Sequence, residues 1–312
     1  MSTLGNPPGP AQPQVAPEPA PPVYFDARGQ LAAHFLAGEG LEIGALHQPL
    51  AMPPHAKVRY VDRMKSDELR REYPELAEWD LTEVAVVDDG ELLTTVADES
   101  QDFIVANHFL EHCENPIGTI QTHLSKLKPG GILFYAVPDK RFTFDFRRPV
   151  TPLEEMVADY DQGPERSRGE HYEEWCRLVI DEESPSVGSA DQAASEEWVQ
   201  RRARELEAAK YSIHFHVWTQ AEFLKMILAC RERSDNAFDI EAAARVAIEF
   251  MVVLRKQGPP PTPAPASGAA AGPAPAGSPG APNVTELERW KSRVRKVLSI
   301  VRKDIRRWRA RP

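Results

Sequence analysis

Two segments, Leu41-Glu42-Ile43-Gly44 and Val58-Arg59-Tyr60-Val61-Asp62, constrain the fold more than any other part of this chain. Each is a short apolar run that stops abruptly, the first at a glycine and the second at a carboxylate. Runs of this length, bounded in this way, read as buried strands. The pattern recurs in Glu83 to Val87, Phe103 to Ala106 and Ile132 to Val137. Between the strands lie segments with helical spacing: Leu31, Ala32, Phe35 and Leu36 first, then the polar stretch Asp67 to Leu76, then Ile117, Ile120, Leu124 and Leu127. Alternating β and α segments predict a parallel sheet with helices on both faces.

The alternation pauses from Pro138 to about His216, a charged and aromatic stretch with a helix expected over Glu197 to Lys210. It resumes with a helix over Thr219 to Cys230, Thr219 serving as N-cap, and with strands at Phe238 to Glu241 and Ile248 to Leu254. Glu42 and Asp62 are twenty residues apart, each at the end of its strand. In an open α/β sheet that spacing suits a nucleoside without phosphates. The glycine lets the backbone approach, and the distal acid takes the ribose hydroxyls. A dinucleotide fingerprint is excluded: Gly38, Gly40 and Gly44 spell G-x-G-x-x-x-G, and two of them precede the strand.

Several elements occur in a telling order. They are Leu41-Glu42-Ile43-Gly44, Asp62, Asp102-Phe103-Ile104-Val105, Phe109-Leu110-Glu111-His112, Leu127-Lys128-Pro129-Gly130-Gly131 and the run to Val137-Pro138. Together they resemble the class I S-adenosylmethionine (SAM)-dependent methyltransferases of the methyltransferase 11 type, over about Tyr24 to Lys256. The resemblance implies a doubly wound, mostly parallel, seven-stranded Rossmann-like sheet whose last strand is antiparallel, with a helical insertion after strand five. It implies SAM as cofactor, held by Glu42, Gly44, Ala45, His47, Asp62, Arg63, Asp88, Asp89, Asn107 and His108. In that scheme Glu42 fixes the following loop or meets the cofactor's amino group, Asp62 takes the ribose, and Asp88 and Asp89 take the adenine amino group. Asn107 and His108 lie beneath the sulfur. The family's first loop usually has two or three glycines. Here Gly44 is followed by Ala45, Leu46 and His47, so contacts at residues 45 to 48 are expected to deviate.

His108-Phe109-Leu110-Glu111-His112 matches the H-x-x-E-H run of some zinc proteases. That motif needs one helix carrying both histidines, whereas this run directly follows a buried strand, so the protease reading fails. No metal is expected by default; His108, Glu111 and His112 form the one metal option, of a type that favours transition metals. Methyl transfer to a hydroxyl needs alignment and a base titrating near neutrality. The candidates are His112, His171 and His214. His214 and His216, two apart, would share one face of an extended segment. Arg141, Arg147 and Arg148 would hold an anionic acceptor or lie in solvent.

Composition bounds the partners. The net charge is −10, yet residues 283–312 carry eleven Lys/Arg against three Asp/Glu, leaving −18 on the remainder. A catalytic domain that acidic is not built to grip nucleic acid. The 29 prolines concentrate in two blocks. The domain reading is therefore a disordered Pro/Ala-rich start (1–22), a methyltransferase domain (23–257, insertion about 138–216), a disordered linker (258–282) and a basic amphipathic helix (283–312). That helix opens with the capping box Thr285-Glu286-Leu287-Glu288. Leu287, Trp290, Val294, Val297, Leu298, Val301, Ile305 and Trp308 form its apolar stripe. Such a helix suits peripheral contact with an anionic membrane or pairing with another helix. With no signal peptide, no spanning segment and three scattered cysteines, the expectation is a cytoplasmic protein, placed at the inner face of the membrane if the tail binds lipid. Two functions follow. One is methyl transfer to a small-molecule or glycan-type acceptor, including a lipid-linked one. The other is an inactive methyltransferase-fold scaffold tethered by its C-terminal helix.

Overall fold

The computed structural model describes residues 27–73, 76, 78–180 and 196–258. The expected N-terminal tail, the linker and the basic helix 283–312 lie outside the described residues. Seven strands form one sheet: β1 (Gly38–Ile43), β2 (Ala56–Asp62), β3 (Val84–Val87), β4 (Gln101–Asn107), β5 (Leu127–Pro138), β6 (Phe238–Val246) and β7 (Glu249–Lys256). Their order is β3-β2-β1-β4-β5-β7-β6. The first five are parallel, and β7 runs antiparallel between β5 and β6. This is the doubly wound sheet with an antiparallel last strand that the resemblance implies.

Helix α1 (Ala27–Phe35) precedes the sheet, α2 (Ser66–Glu72) joins β2 to β3, and α3 (Pro116–Lys126) joins β4 to β5. Asn115 caps α3 by accepting from the Gly118 amide, and Pro116 occupies the first turn, where no donor is missed. Ile117, Ile120 and Leu124 line the buried face of α3 at three- and four-residue steps. Helix α2 ends earlier than its polar pattern suggests, because the Tyr73 amide closes the last turn on the Leu69 carbonyl. The β1–β2 and β3–β4 connections contain no helix.

The central strands are buried on both faces and therefore read as continuous apolar runs. One face packs Leu41, Ile43, Ile104, Ala106, Leu133 and Tyr135 against α3 and against α7 (Gln220–Arg233). The other packs Phe103, Val105, Phe134, Ala136 and Val253 against Ala32 and Leu36 beside α1. Gly40 lets β1 approach β4 closely, since a Cβ there would lie 2.3 Å from the Phe103 carbonyl oxygen. The Lys128-Pro129-Gly130-Gly131 turn proves to be a bulge within β5. Gln101 pairs with Leu127, but Phe103, two residues on, pairs with Ile132, and Gly130 takes φ +81°.

Between β5 and α7 the chain builds α4 (Leu153–Gln162), α5 (Arg168–Trp175) and α6 (Glu196–Ala208). Thr219 immediately precedes α7 as expected, but its hydroxyl turns to the Glu222 carboxylate rather than to a backbone amide. Cys113, Cys176 and Cys230 are all buried and free.

Candidate active site at the carboxyl edge of the sheet

The crossovers from β1 and β4 leave in opposite directions, so a crevice opens where these neighbouring strands end. Gly44 stands there with φ +66°, a conformation that costs a non-glycine residue about 1–2 kcal/mol. A Cβ on it would meet nothing closer than Phe109 at 4.0 Å, so space lies open above the backbone. Leu46 also takes a positive φ, 47°, which bends the loop where a second glycine is usual.

Glu42 is buried beneath this loop and accepts from the Leu50 amide at 2.9 Å and 3.1 Å through its two oxygens. It therefore fixes the loop, the first of its two expected roles. Burial pushes its pKa up to about 7, against the pull of the Leu50 hydrogen bond and the Arg28 charge. His47 packs on the Trp79 ring, 5.0 Å between centroids, beside Ala45 at the outer turn of the loop.

Asp62 closes β2 next to the crevice. One oxygen accepts from the Arg63 amide at 2.8 Å, and burial raises its pKa despite that bond and the Arg63 charge. The Arg63 side chain turns away to Glu72 and Tyr73. Asp88 is turned inward. Thr94 and the Asp89 amide donate to one oxygen, and the Thr95 amide and hydroxyl donate to the other. Burial alone would raise its pKa, but these bonds overcome it and hold the carboxyl low. Asp88 is thus committed to its own loop, and of the acidic pair Asp89 is the exposed one.

Asn107 ends β4 beside Glu42. Its carboxamide is buried and reaches toward the Glu42 carboxylate, whose pKa it helps to lower. His108, at φ 51°, places Nε2 2.8 Å from Glu249, which also takes a two-pronged ion pair from Arg28. Burial would raise Glu249, but His108 and Arg28 pull it down to about 2. Sequence reading missed both Arg28 and Glu249, because nothing in an N-terminal helix or a seventh strand announces a contact with the β4 loop.

The expected histidines fall into two groups. In the first, His112 lies edge-on to His214 at 4.7 Å, with Glu111 between the β4 loop and the incoming segment 211–217. The His112 Nδ1–H donates to the Ile213 carbonyl at 2.9 Å, and the His214 Nδ1–H to Asp145 at 2.7 Å. Asp145 is in turn bound by Arg148, which is fully buried and also donates to the His214 and Phe215 carbonyls. In the second group His171 lies 5.0 Å from His216, with Glu155 3.3 Å from His171. Burial depresses His112 to about 3 and His171 to about 4, so both rings stay neutral near pH 7.

His214 and His216 do not share a face. The amides of Phe215 and His216 both reach the Glu111 carbonyl, at 2.7 Å and 3.3 Å, so the chain turns there instead of alternating. Arg148 is a buried structural cation rather than a substrate clamp. Of the proposed metal option His108, Glu111 and His112, the first is drawn off to Glu249, and His214 stands in its place.

Residues 27–226, well over half of the chain, match the family model described as a methyltransferase domain. The chain belongs to this methyltransferase family. No curated protein matches it in sequence. Among solved structures it is similar to a SAM-dependent methyltransferase from Aquifex aeolicus, at 12% identity over 73% of this chain and 86% of that one, with TM-score 0.37. It is also similar to a SAM-dependent methyltransferase from Methanosarcina mazei, at 17% identity over 71% and 93%, TM-score 0.37. A protein from Rhodobacter sphaeroides described as a Zn-dependent alcohol dehydrogenase gives 14% over 75% and 91%, TM-score 0.46. These structural likenesses are loose, and the family assignment rests on the match over residues 27–226.

Proposed function

We propose that this chain transfers a methyl group from SAM to a neutral hydroxyl of a small-molecule or glycan-type acceptor. The observation that carries the reading is the composition of one crevice. The open backbone at Gly44, the Asp62 carboxylate and the buried Asn107 carboxamide stand on one side, and Glu111 and His112, which follow β4, are joined by His214 on the other. These residues fit the cofactor. Gly44 and Ala45 offer backbone, Asp62 offers a carboxylate to vicinal ribose hydroxyls, and Asp89 is the acid left for the adenine edge. Asn107, whose amide leans on Glu42, keeps its carbonyl oxygen to accept from a ligand. When bound, SAM supplies an electrophilic methyl group on a sulfonium.

On the acceptor side Asp145 and Glu249 are paired with Arg148 and Arg28, and Glu111 is the buried carboxyl without an arginine. Burial pushes Glu111 up to about 7. The buried cation on this side, Arg148, is already engaged by Asp145 and Glu174, so a neutral hydroxyl fits better than a carboxylate or phosphate. A hydroxyl must shed its proton as the methyl arrives, and the depressed His112 and His171 are poor acceptors for it. Glu111 and His214, the latter oriented by Asp145, are the groups left to act on the oxygen, directly or through an ion that they hold. A lipid-linked acceptor at a membrane surface remains part of this reading on the strength of residues 283–312 alone. No described helix is long and apolar enough to cross a membrane.

The test is calorimetric titration of the full chain with SAM and S-adenosylhomocysteine (SAH), followed by transfer of labelled methyl to neutral sugars and polyols and to carboxylate acceptors. Binding of both nucleosides with label on hydroxyl oxygens supports the reading. No binding sinks it. Binding without transfer to any acceptor favours the tethered scaffold instead, and label only on carboxylates overturns the acceptor class.

A further inference from the structure

We propose that Glu111, His112 and His214 form a binding site for one divalent transition-metal ion, Zn²⁺ or a close neighbour, with an open position left for an oxygen ligand. One ligand atom from each residue lies within 4.8 Å of the others. Glu111 is 1% exposed, and apart from its own backbone amide no hydrogen-bond donor reaches its carboxylate. A buried carboxylate left in this way is costly unless something positive compensates it. The neighbouring His108 Nδ1 approaches only to 3.5 Å, and its other nitrogen is bound to Glu249.

The two histidines are prepared as ligands. In each, Nδ1 is used as a donor, His112 to the Ile213 carbonyl and His214 to Asp145. That fixes the tautomer in which Nε2 carries the free lone pair. A carbonyl or carboxylate behind an imidazole is the arrangement that orients histidine ligands around metals. Phe144 and Trp175 wall the His214 ring at centroid distances of 4.8 Å and 5.7 Å, which holds the ring in place. Two imidazoles and one carboxylate suit zinc, iron or manganese better than calcium or magnesium, and three protein ligands are the number found where a metal keeps a place for substrate.

The second group, Glu155, His171 and His216, has comparable spacing but a different surrounding. The Glu155 side chain is 33% exposed, whereas that of Glu111 is 1% exposed. Burial therefore distinguishes the two.

The ion's place on the acceptor side rests on the function proposed above, but binding of the ion does not. The full chain is stripped with a chelator, reconstituted with Zn²⁺ or Co²⁺ and freed of excess metal. Metal content is measured by mass spectrometry, the Co²⁺ coordination by its visible absorption, and SAH affinity in parallel. One ion per chain is expected, with a Co²⁺ spectrum of low coordination number. Asp145→Asn should weaken binding about 10–100-fold. Glu111→Gln and His214→Ala should weaken it further, and Glu155→Gln should leave it unchanged. SAH affinity should be preserved in all, which also reports folding. Should the Glu111 and His214 variants fail to fold, the Co²⁺ spectrum of the unaltered chain decides alone. The proposal is overturned if the unaltered chain binds SAH but retains no ion, or if Glu111→Gln retains the ion with unaltered affinity. Retention of the ion without SAH binding would instead overturn the cofactor reading.

Discussion

The two sides of the crevice solve the problem of a buried carboxylate in opposite ways. Under the β1–β3 ends, each acid is met by donors from its own neighbourhood: Glu42 by the Leu50 amide, Asp62 by the Arg63 amide, Asp88 by Thr94 and Thr95. Beyond β4, Glu111 is equally buried and has no donor but its own backbone amide. The groups around it come from far along the chain, as with Asp145 and His214, 69 residues apart. The first side is a rigid cradle made of local hydrogen bonds. The second is assembled by tertiary packing and holds an electrostatic debt. A self-satisfied surface suits a ligand that is always the same, whereas an unsatisfied one suits chemistry.

The comparison can be broken by substitution. The largest effect is expected from Asp62→Ala. Loss of two charge-assisted hydrogen bonds of about 1.5–3 kcal/mol each should weaken SAH binding by roughly a hundredfold or more in calorimetry. Unaltered affinity would mean that the cradle lies elsewhere. Next is Glu249→Gln. The folded pKa is held at about 2, below the ordinary 4.5, so the group stabilises the fold above pH 4.5 and loses that contribution as pH falls from about 4.5 through 2. The variant should be less stable by about 3 kcal/mol in urea melts at pH 6. The gap to the unaltered chain should close on acidification. Glu42 has the opposite sign. With a folded pKa of about 7, its contribution is complete below 4.5 and disappears as pH rises through 7.

Asp88→Ala should cost about 2 kcal/mol of thermal stability, because it strands the Thr95 amide and its neighbours. Asp89→Ala should leave stability close to unchanged while weakening SAH binding. If the two variants behave alike, the division between loop-building and ligand-facing acid is wrong. The smallest effect is expected from Gly44→Ala. The site has room for a Cβ, so only backbone strain of about 1 kcal/mol is felt, a several-fold loss of SAH affinity in titration.

The same contrast sets what could be read from the residues in order. The strands around Leu41, Val61, Val105 and Leu133 are legible because burial on both faces demands unbroken apolar runs. The role of Glu42 beneath the loop was within reach, since Leu50 is only eight residues away. The partners of His108 were not, because Glu249 follows it by 141 residues and sits in a strand with no distinguishing pattern. The four residues expected for β6 became nine, since the run Ala242-Ala243-Ala244 has no alternation for periodicity to detect. The Glu111–His112–His214 set shows the limit best. Glu111 and His112 are adjacent and conspicuous, but the third member was legible only as one of several histidines until the turn at Phe215 placed it.

The Arg28–Glu249–His108 junction also carries a consequence for the order of synthesis. Every strand of the parallel half has left the ribosome by Pro138, and those strands can pair as they emerge. The partner that holds the His108 ring is made more than a hundred residues later. A nascent chain can therefore form the β1–β3 side of the crevice while the His108 side is unfinished, and the proposed site becomes whole only when β7 slots between β5 and β6. An enzyme arranged in this way is inert for most of its own translation.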